Sequence, residues 1–145
     1  MSEVIVPLLR CAVASSGLLK IDRIGSGLGV IIYDNTRRIG TGFHVLAPHS
    51  GGLKPTNSFM FANTAIPQAL TEIGQKGGSA PFSVAIAGGA VMMGSQPEQA
   101  SKRNVVDAAK EALREASLPV TLEQTGGNKM RCMVLDIDAG KIKIT

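Results

Sequence analysis

Two histidines, two thiols and one glycine-framed loop hold most of the chemistry open to this chain. His44 stands in the run His44-Val45-Leu46-Ala47-Pro48, and an imidazole is the side chain best suited to move protons near neutral pH. Hydrolysis through a histidine usually needs a nucleophile beside it. Ser26 adjoins Gly27, but neighbouring side chains on an extended segment point to opposite faces. Thr41 lies three residues before His44 and falls on the other face for the same reason. Cys11 belongs to a different segment. Cys132 follows a Gly-Gly-Asn turn and could approach a cleft, although a buried structural cysteine is the commoner case. His49 reads as a solvated loop residue, and His44 without a nucleophile reads as a hydrogen-bonded structural histidine. Two His and two distant Cys lack the spacing of a structural zinc site, so neither metal nor cofactor is expected. Gly25-Ser26-Gly27-Leu28-Gly29 is not a dinucleotide loop: position 30 is Val, and a strand follows where a helix should begin.

These residues need elements to position them. Leu18–Ile21, Leu28–Tyr33 and Ile39–Leu46 are short and apolar and read as strands of one sheet system. Asp34-Asn35-Thr36-Arg37 turns the second into the third as a hairpin. Ala62, Ala65, Ile66, Ala69, Leu70 and Ile73 recur at helical spacing. Pro67 fits that helix if it begins near Thr64, and Gly77-Gly78 ends it. Phe82–Ala87 is a buried strand stopped by Gly88-Gly89. A second helix spans about Lys102–Ala116, with opposite charges at i+3 on its wet side. Val120–Leu122, Cys132–Asp136 and Lys141–Ile144 close the chain as strands, the last two joined at Asp138-Ala139-Gly140. Strands, helix, strand, helix, strands make an α+β fold, a layered sandwich of sheets and two main helices.

Composition bounds the rest. At 145 residues, 44% of them hydrophobic, the chain is expected to form one domain over 1–145 without a disulfide or metal staple. No apolar run reaches membrane-span length, and the N-terminus makes a poor signal peptide, so a cytoplasmic protein is expected. The net charge of +4 comes with one Tyr, four Phe and no Trp. A basic surface that lacks stacking aromatics argues against nucleic acid and suits an acidic protein partner.

Several blocks, taken in order, resemble the chemoreceptor glutamine deamidase (CheD) family. They are Gly25-Ser26, the His44 run, Ser50-Gly51-Gly52, Ala62-Asn63-Thr64-Ala65-Ile66, Ile86-Ala87-Gly88-Gly89-Ala90 with Met93 after it, Lys102-Arg103-Asn104-Val105, and Thr125-Gly126-Gly127-Asn128 with Arg131 after it. The resemblance implies a fold similar to the catalytic domain of the cytotoxic necrotizing factor toxins. It also implies a thiolate that attacks a receptor glutamine, releases ammonia and is freed by hydrolysis of the thioester. Such a site needs an activated thiol, a histidine and backbone N–H donors.

Carried over residue by residue, the resemblance puts the general base at His44 and the loop of backbone donors at Gly25, Ser26 and Gly27. It puts cleft-lining positions at Gly88, Gly89, Gly126, Gly127 and Asn128. The nucleophile position holds Gly27, which cannot attack, and the position that orients the histidine holds Ile21, which cannot hydrogen-bond. Two functions stay open. One is a catalytically impaired homologue that docks on chemoreceptor cytoplasmic helices, or on the CheC-type phosphatase that mimics them, and tunes adaptation. The other is an active deamidase or amidohydrolase in which a substitute nucleophile, or water, works with His44.

Overall fold

Strand β4 (Leu28–Asp34) has all seven residues buried, so both of its faces are covered. Its side chains alternate between two cores. Leu28, Val30 and Ile32 pack with apolar residues of helices α1 (Ala62–Gln75) and α2 (Val105–Glu115). Ile31 and Tyr33 pack with Leu19, Ile21, Met133 and Leu135 of a second sheet. Burying each large aliphatic on this strand contributes about 1.5–3 kcal/mol before the entropy of ordering it.

The computed structural model describes residues 2–91 and 104–145. The remaining elements are strands β1 (Glu3–Ile5), β2 (Cys11–Ala14), β3 (Leu18–Ile24), β5 (Ile39–Val45), β6 (Ser83–Gly88), β7 (Val120–Thr125), β8 (Arg131–Asp136) and β9 (Lys141–Ile144). A five-stranded sheet runs β2-β5-β4-β6-β7, and a four-stranded sheet runs β1-β3-β8-β9. The two helices cover one face of the larger sheet and the smaller sheet covers the other, which is the α+β layering expected. Gly42 and Gly29 let the sheets approach closely: a Cβ at Gly42 would lie 2.7 Å from Leu19, and one at Gly29 would lie 2.6 Å from Ile24.

Several expectations need correction. Leu18–Ile24 is not in the sheet of β4 and β5; it pairs with β1 and β8. The Gly25-Ser26-Gly27 bend therefore carries the chain from one sheet to the other. Helix α1 begins at Ala62, so Pro67 sits beyond the first turn and withholds the N–H that would reach the Asn63 carbonyl. Its end is as expected: Gly77 takes φ +96°, and Gly78 N donates to the Ile73 carbonyl at 2.8 Å. Helix α2 begins at Val105, where Asn104 caps it by accepting from Asp107 N at 2.9 Å. Lys102, Arg103 and Met93 lie outside the described residues. Lys110 on this helix reaches across to Glu123 of β7 at 2.8 Å, outside the i+3 ladder.

The hairpin of β4 and β5 is fixed at its turn by Asp34, which is fully buried. Its carboxylate accepts from Thr36 N, Arg37 N, Ser79 N and the Arg37 guanidinium at 2.9–3.1 Å. Tyr33 ties the two sheets together by donating its hydroxyl to the Ile137 carbonyl at 2.6 Å.

Candidate functional site

The sheet order explains why residues distant in sequence meet. The start of β4 and the ends of β5, β6 and β7 lie along one edge of the larger sheet, because β5 and β6 run antiparallel to β4 and β7 runs parallel to β6. His44 pairs with Gly29, Leu28 pairs with both Val45 and Gly88, and Gly88 pairs with Thr125. Gly27, His44, Gly88-Gly89 and Gly126-Gly127 therefore line up at that edge.

The glycine loops are laced by their backbones. Gly89 N donates to the Gly27 carbonyl at 2.7 Å and Ala90 N to the Gly25 carbonyl at 3.0 Å. Gly126 N donates to the Gly88 carbonyl at 3.0 Å, and Val91 N to the Gly127 carbonyl at 2.8 Å. Arg131 holds two of these loops, with Nη1 at 2.8 Å from the Gly126 carbonyl and 3.3 Å from that of Gly88. Gly88 must be glycine on two counts: φ is +130°, and a Cβ there would overlap the Gly27 carbonyl oxygen. Asn128 is exposed, and no described residue hydrogen-bonds to its side chain.

His44 projects from the same face of β5 as Gly40 and Gly42, toward the second sheet. It is 6% exposed. No described residue hydrogen-bonds to its ring, so the expectation of a hydrogen-bonded structural histidine does not hold. Burial holds the imidazole below its usual range, because desolvation disfavours the charged ring. A Cβ built on Gly27 would lie 3.5 Å from His44 Nε2. The same Cβ would lie 2.5 Å from the Val45 carbonyl oxygen and 2.9 Å from Leu46 Cδ2. Backbone and a leucine thus crowd the space a nucleophilic side chain would need. Ile21 is fully buried, against Gly29 and Gly42, and its side chain has no hydrogen-bonding group.

The other nucleophile candidates sit elsewhere. Ser26 is exposed in the bend, and no hydrogen bond joins it to His44. Thr41 faces the helices; its hydroxyl donates to the Ala12 carbonyl at 3.0 Å and lies 3.1 Å from Cys11 Sγ. Burial pushes the Cys11 thiol up to about 11; the Thr41 contact opposes the shift and Glu72 adds to it. Cys132 does not approach the cleft. Met133 and Leu135 take the core face of β8, so Cys132 points outward, where its thiol donates to Asp22 at 3.0 Å. Burial first, then Asp22, push this thiol to about 11, with Lys20 opposing. At pH 7 a thiol of that pKa is thiolate in about one molecule in ten thousand. His49 is exposed and accepts from Gly51 N at 2.9 Å. Among the described residues, no His, Cys, Asp and Glu group could hold a metal ion, and no helix is long and apolar enough to cross a membrane.

Sequence reasoning missed the Arg131 clamp and the intrusion of Val45 and Leu46. Arg131 carried a signal, its place three residues after the Gly-Gly-Asn turn. A backbone carbonyl carries none.

The comparisons with known proteins agree on a family. The family model described as CheD chemotactic sensory transduction matches residues 46–145, a stretch that holds the Gly88 and Gly126 loops and begins just after His44. A probable chemoreceptor glutamine deamidase CheD from an Alaska strain of Clostridium botulinum is 34% identical over 138 residues, covering 91% of this chain and 85% of that protein. One of the same description from Methanococcus maripaludis is 32% identical over 124 residues, covering 83% and 80%. Another, from the Hall strain of Clostridium botulinum, is 35% identical over 130 residues, covering 83% and 78%. With more than half the chain matched by the model and these relatives spanning most of its length, the chain belongs to the CheD family.

Proposed function

We propose that this chain is a chemotaxis protein that binds the chemoreceptor cytoplasmic region as its deamidase relatives do, and does not deamidate it. One observation carries the reading. The space beside His44 Nε2 that a nucleophilic side chain at position 27 would need is crowded by the Val45 carbonyl oxygen and Leu46. Covalent attack needs a nucleophile within hydrogen-bond reach of its base, and orientation of that base by a third group. Gly27 supplies no nucleophile, and Ile21 supplies no orienting group. The two cysteines are held protonated, one against the helices and one on the outer face of the smaller sheet. The scaffold on which a partner would rest is intact: the glycine loops are laced together and anchored by Arg131. A protein with an intact docking edge and no nucleophile occupies a receptor without changing it, and so tunes adaptation by competition. The CheC-type phosphatase, with its receptor-like helix, would meet the same edge.

A competition experiment tests this. A relative with a cysteine at the position of Gly27 deamidates a chemoreceptor cytoplasmic fragment while this chain is titrated in. The reading expects deamidation to slow in proportion to the fragment bound. An unchanged rate at saturating concentrations of this chain would overturn it.

A further inference from the structure

The end of the molecule that carries the glycine loops is flanked by cations with no counter-charge. Arg10 follows Leu9, whose N–H donates to the His44 carbonyl at 2.8 Å. Arg23 stands two residues before Gly25. Lys54 lies in the loop between β5 and Asn57, whose side chain donates to the Leu9 carbonyl at 3.1 Å. Lys129 follows the Gly126-Gly127-Asn128 turn. All four are exposed, and no described residue makes a hydrogen bond or ion pair with their side chains. The ion pairs among the described residues engage other cations: Lys20 with Glu3, Arg37 with Asp34 and Lys110 with Glu123. Two carboxylates near this end are committed differently. Asp22 accepts from the Cys132 thiol at 3.0 Å, and Asp107 sits in the first turn of α2, where the helix dipole favours it.

Arg23 is singled out by its backbone. Strand β3 bulges against β8 between Ile21 and Ile24, so Asp22 and Arg23 together oppose Cys132. Arg23 takes φ +53°, a left-handed conformation that glycine fills more easily. Bulges of this kind re-aim a side chain. No hydrogen bond or ion pair of its own side chain offsets the unfavourable conformation. The groove beside it is lined by Asp22, Arg23, Met130, Arg131, Cys132 and Thr145. Arg131 continues from that groove to the carbonyls of Gly88 and Gly126, so the groove and the glycine loops form one continuous surface.

We propose that Arg10, Arg23, Lys54 and Lys129 form an electrostatic rim that draws an acidic protein surface onto this end of the molecule, with Arg23 as the anchor for a partner carboxylate. The inference rests on the proposed docking of chemoreceptors and adds the charge recognition that guides it. Unneutralised charges of one sign around a contact surface raise the rate of encounter with a surface of the opposite sign. Every aromatic ring of the chain is at least partly buried, so the rim lacks the stacking platform that nucleic acid would use. Its cations are spread around an edge and not clustered on one helix, as they are in membrane-binding segments.

The test follows association of the full chain with a chemoreceptor cytoplasmic fragment by stopped-flow fluorescence, in low and in high salt. Arg23→Glu is expected to slow association about five- to tenfold at about 50 mM salt, with dissociation changing less and the gap closing toward about 0.5 M. Arg23→Lys keeps the charge and should keep most of the rate. Arg23→Gly relieves the left-handed backbone, so it should be no less stable by urea unfolding and still associate more slowly than the native chain; that separates docking from folding. Lys141→Glu makes the same change of charge at the far end of the molecule, and should alter the rate by less than about twofold. Equal association rates for Arg23→Glu and Lys141→Glu would overturn the rim and leave receptor docking standing. Failure of the native chain to bind the fragment in either salt would overturn docking and the rim together. Capture of phosphatidylserine vesicles by the native chain and not by Arg23→Glu, with fragment association unchanged, would give the rim to a membrane and overturn the proposal.

Discussion

Replacing Gly27 by alanine asks whether a side chain has room at this position. Gly27 does not sit at positive φ, so alanine can adopt its backbone conformation. By restricting the unfolded chain, that substitution alone would stabilise by about 0.4–1 kcal/mol. Against it stands the new Cβ, 2.5 Å from the Val45 carbonyl oxygen and 2.9 Å from Leu46 Cδ2. Leu46 can give way. The carbonyl belongs to the last residue of β5, paired with Leu28, and cannot move without disturbing the sheet edge. Overpacking of this kind costs about 1–3 kcal/mol. Because the nearer atom is backbone, the cost falls in the upper half of that range, for a net loss of about 1–2.6 kcal/mol and a fall in Tm of roughly 3–8 °C. Urea titration followed by circular dichroism measures it. Gly74→Ala is the control, since that exposed helical glycine has nothing within 4 Å of its would-be Cβ and should gain about 0.5–1 kcal/mol. If Gly27→Ala were as stable as the native chain, the crowding argument would be wrong and room for a nucleophile would remain.

Other consequences concern protons and thiols. Because burial holds the His44 imidazole below its usual range, the unfolded chain takes that proton more readily; stability is complete above about pH 6.5 and is lost as pH falls below it. Urea midpoints across that window should slope less in His44→Phe. Burial pushes the Asp34 carboxyl up, but hydrogen bonds from Ser79, Arg37 and Thr36 outweigh it and hold the group below the usual range. Its contribution is therefore present above about pH 4 and lost as pH falls through the lowered folded value, and Asp34→Ala should cost on the order of 3 kcal/mol by thermal or urea unfolding at neutral pH. Both thiols, pushed up to about 11, should react with iodoacetamide about a hundredfold more slowly at pH 8 than a free cysteine, as read by intact mass.

How much was legible depended on whether a signal was local. The dense run Leu28–Tyr33 followed by Asp34-Asn35 announced its hairpin, and the alanine-rich stripe after Val105 announced α2. Strands β1 and β2 left no such mark. They are three and four residues long, and each pairs with a partner remote in the chain. Leu18–Ile21 and Leu28–Tyr33 look alike as sequence, so their separation into two sheets was hidden; it depends on the direction the chain takes at Gly25–Gly27. The positions of the site came from resemblance to a family. Their alignment along one sheet edge came from topology. The closure over Gly27 is made by a backbone carbonyl, which every residue has, and no reading of side-chain types could have found it.

The central claim is that this chain binds a chemoreceptor and leaves its glutamines as they are. Mass spectrometry of a chemoreceptor cytoplasmic fragment after incubation with the native chain tests it most directly, since each glutamine converted to glutamate adds about one dalton. The account predicts no gain with the native chain. A gain of that size, abolished by His44→Phe, would contradict it and would mean that a nucleophile other than a side chain at position 27 works beside His44.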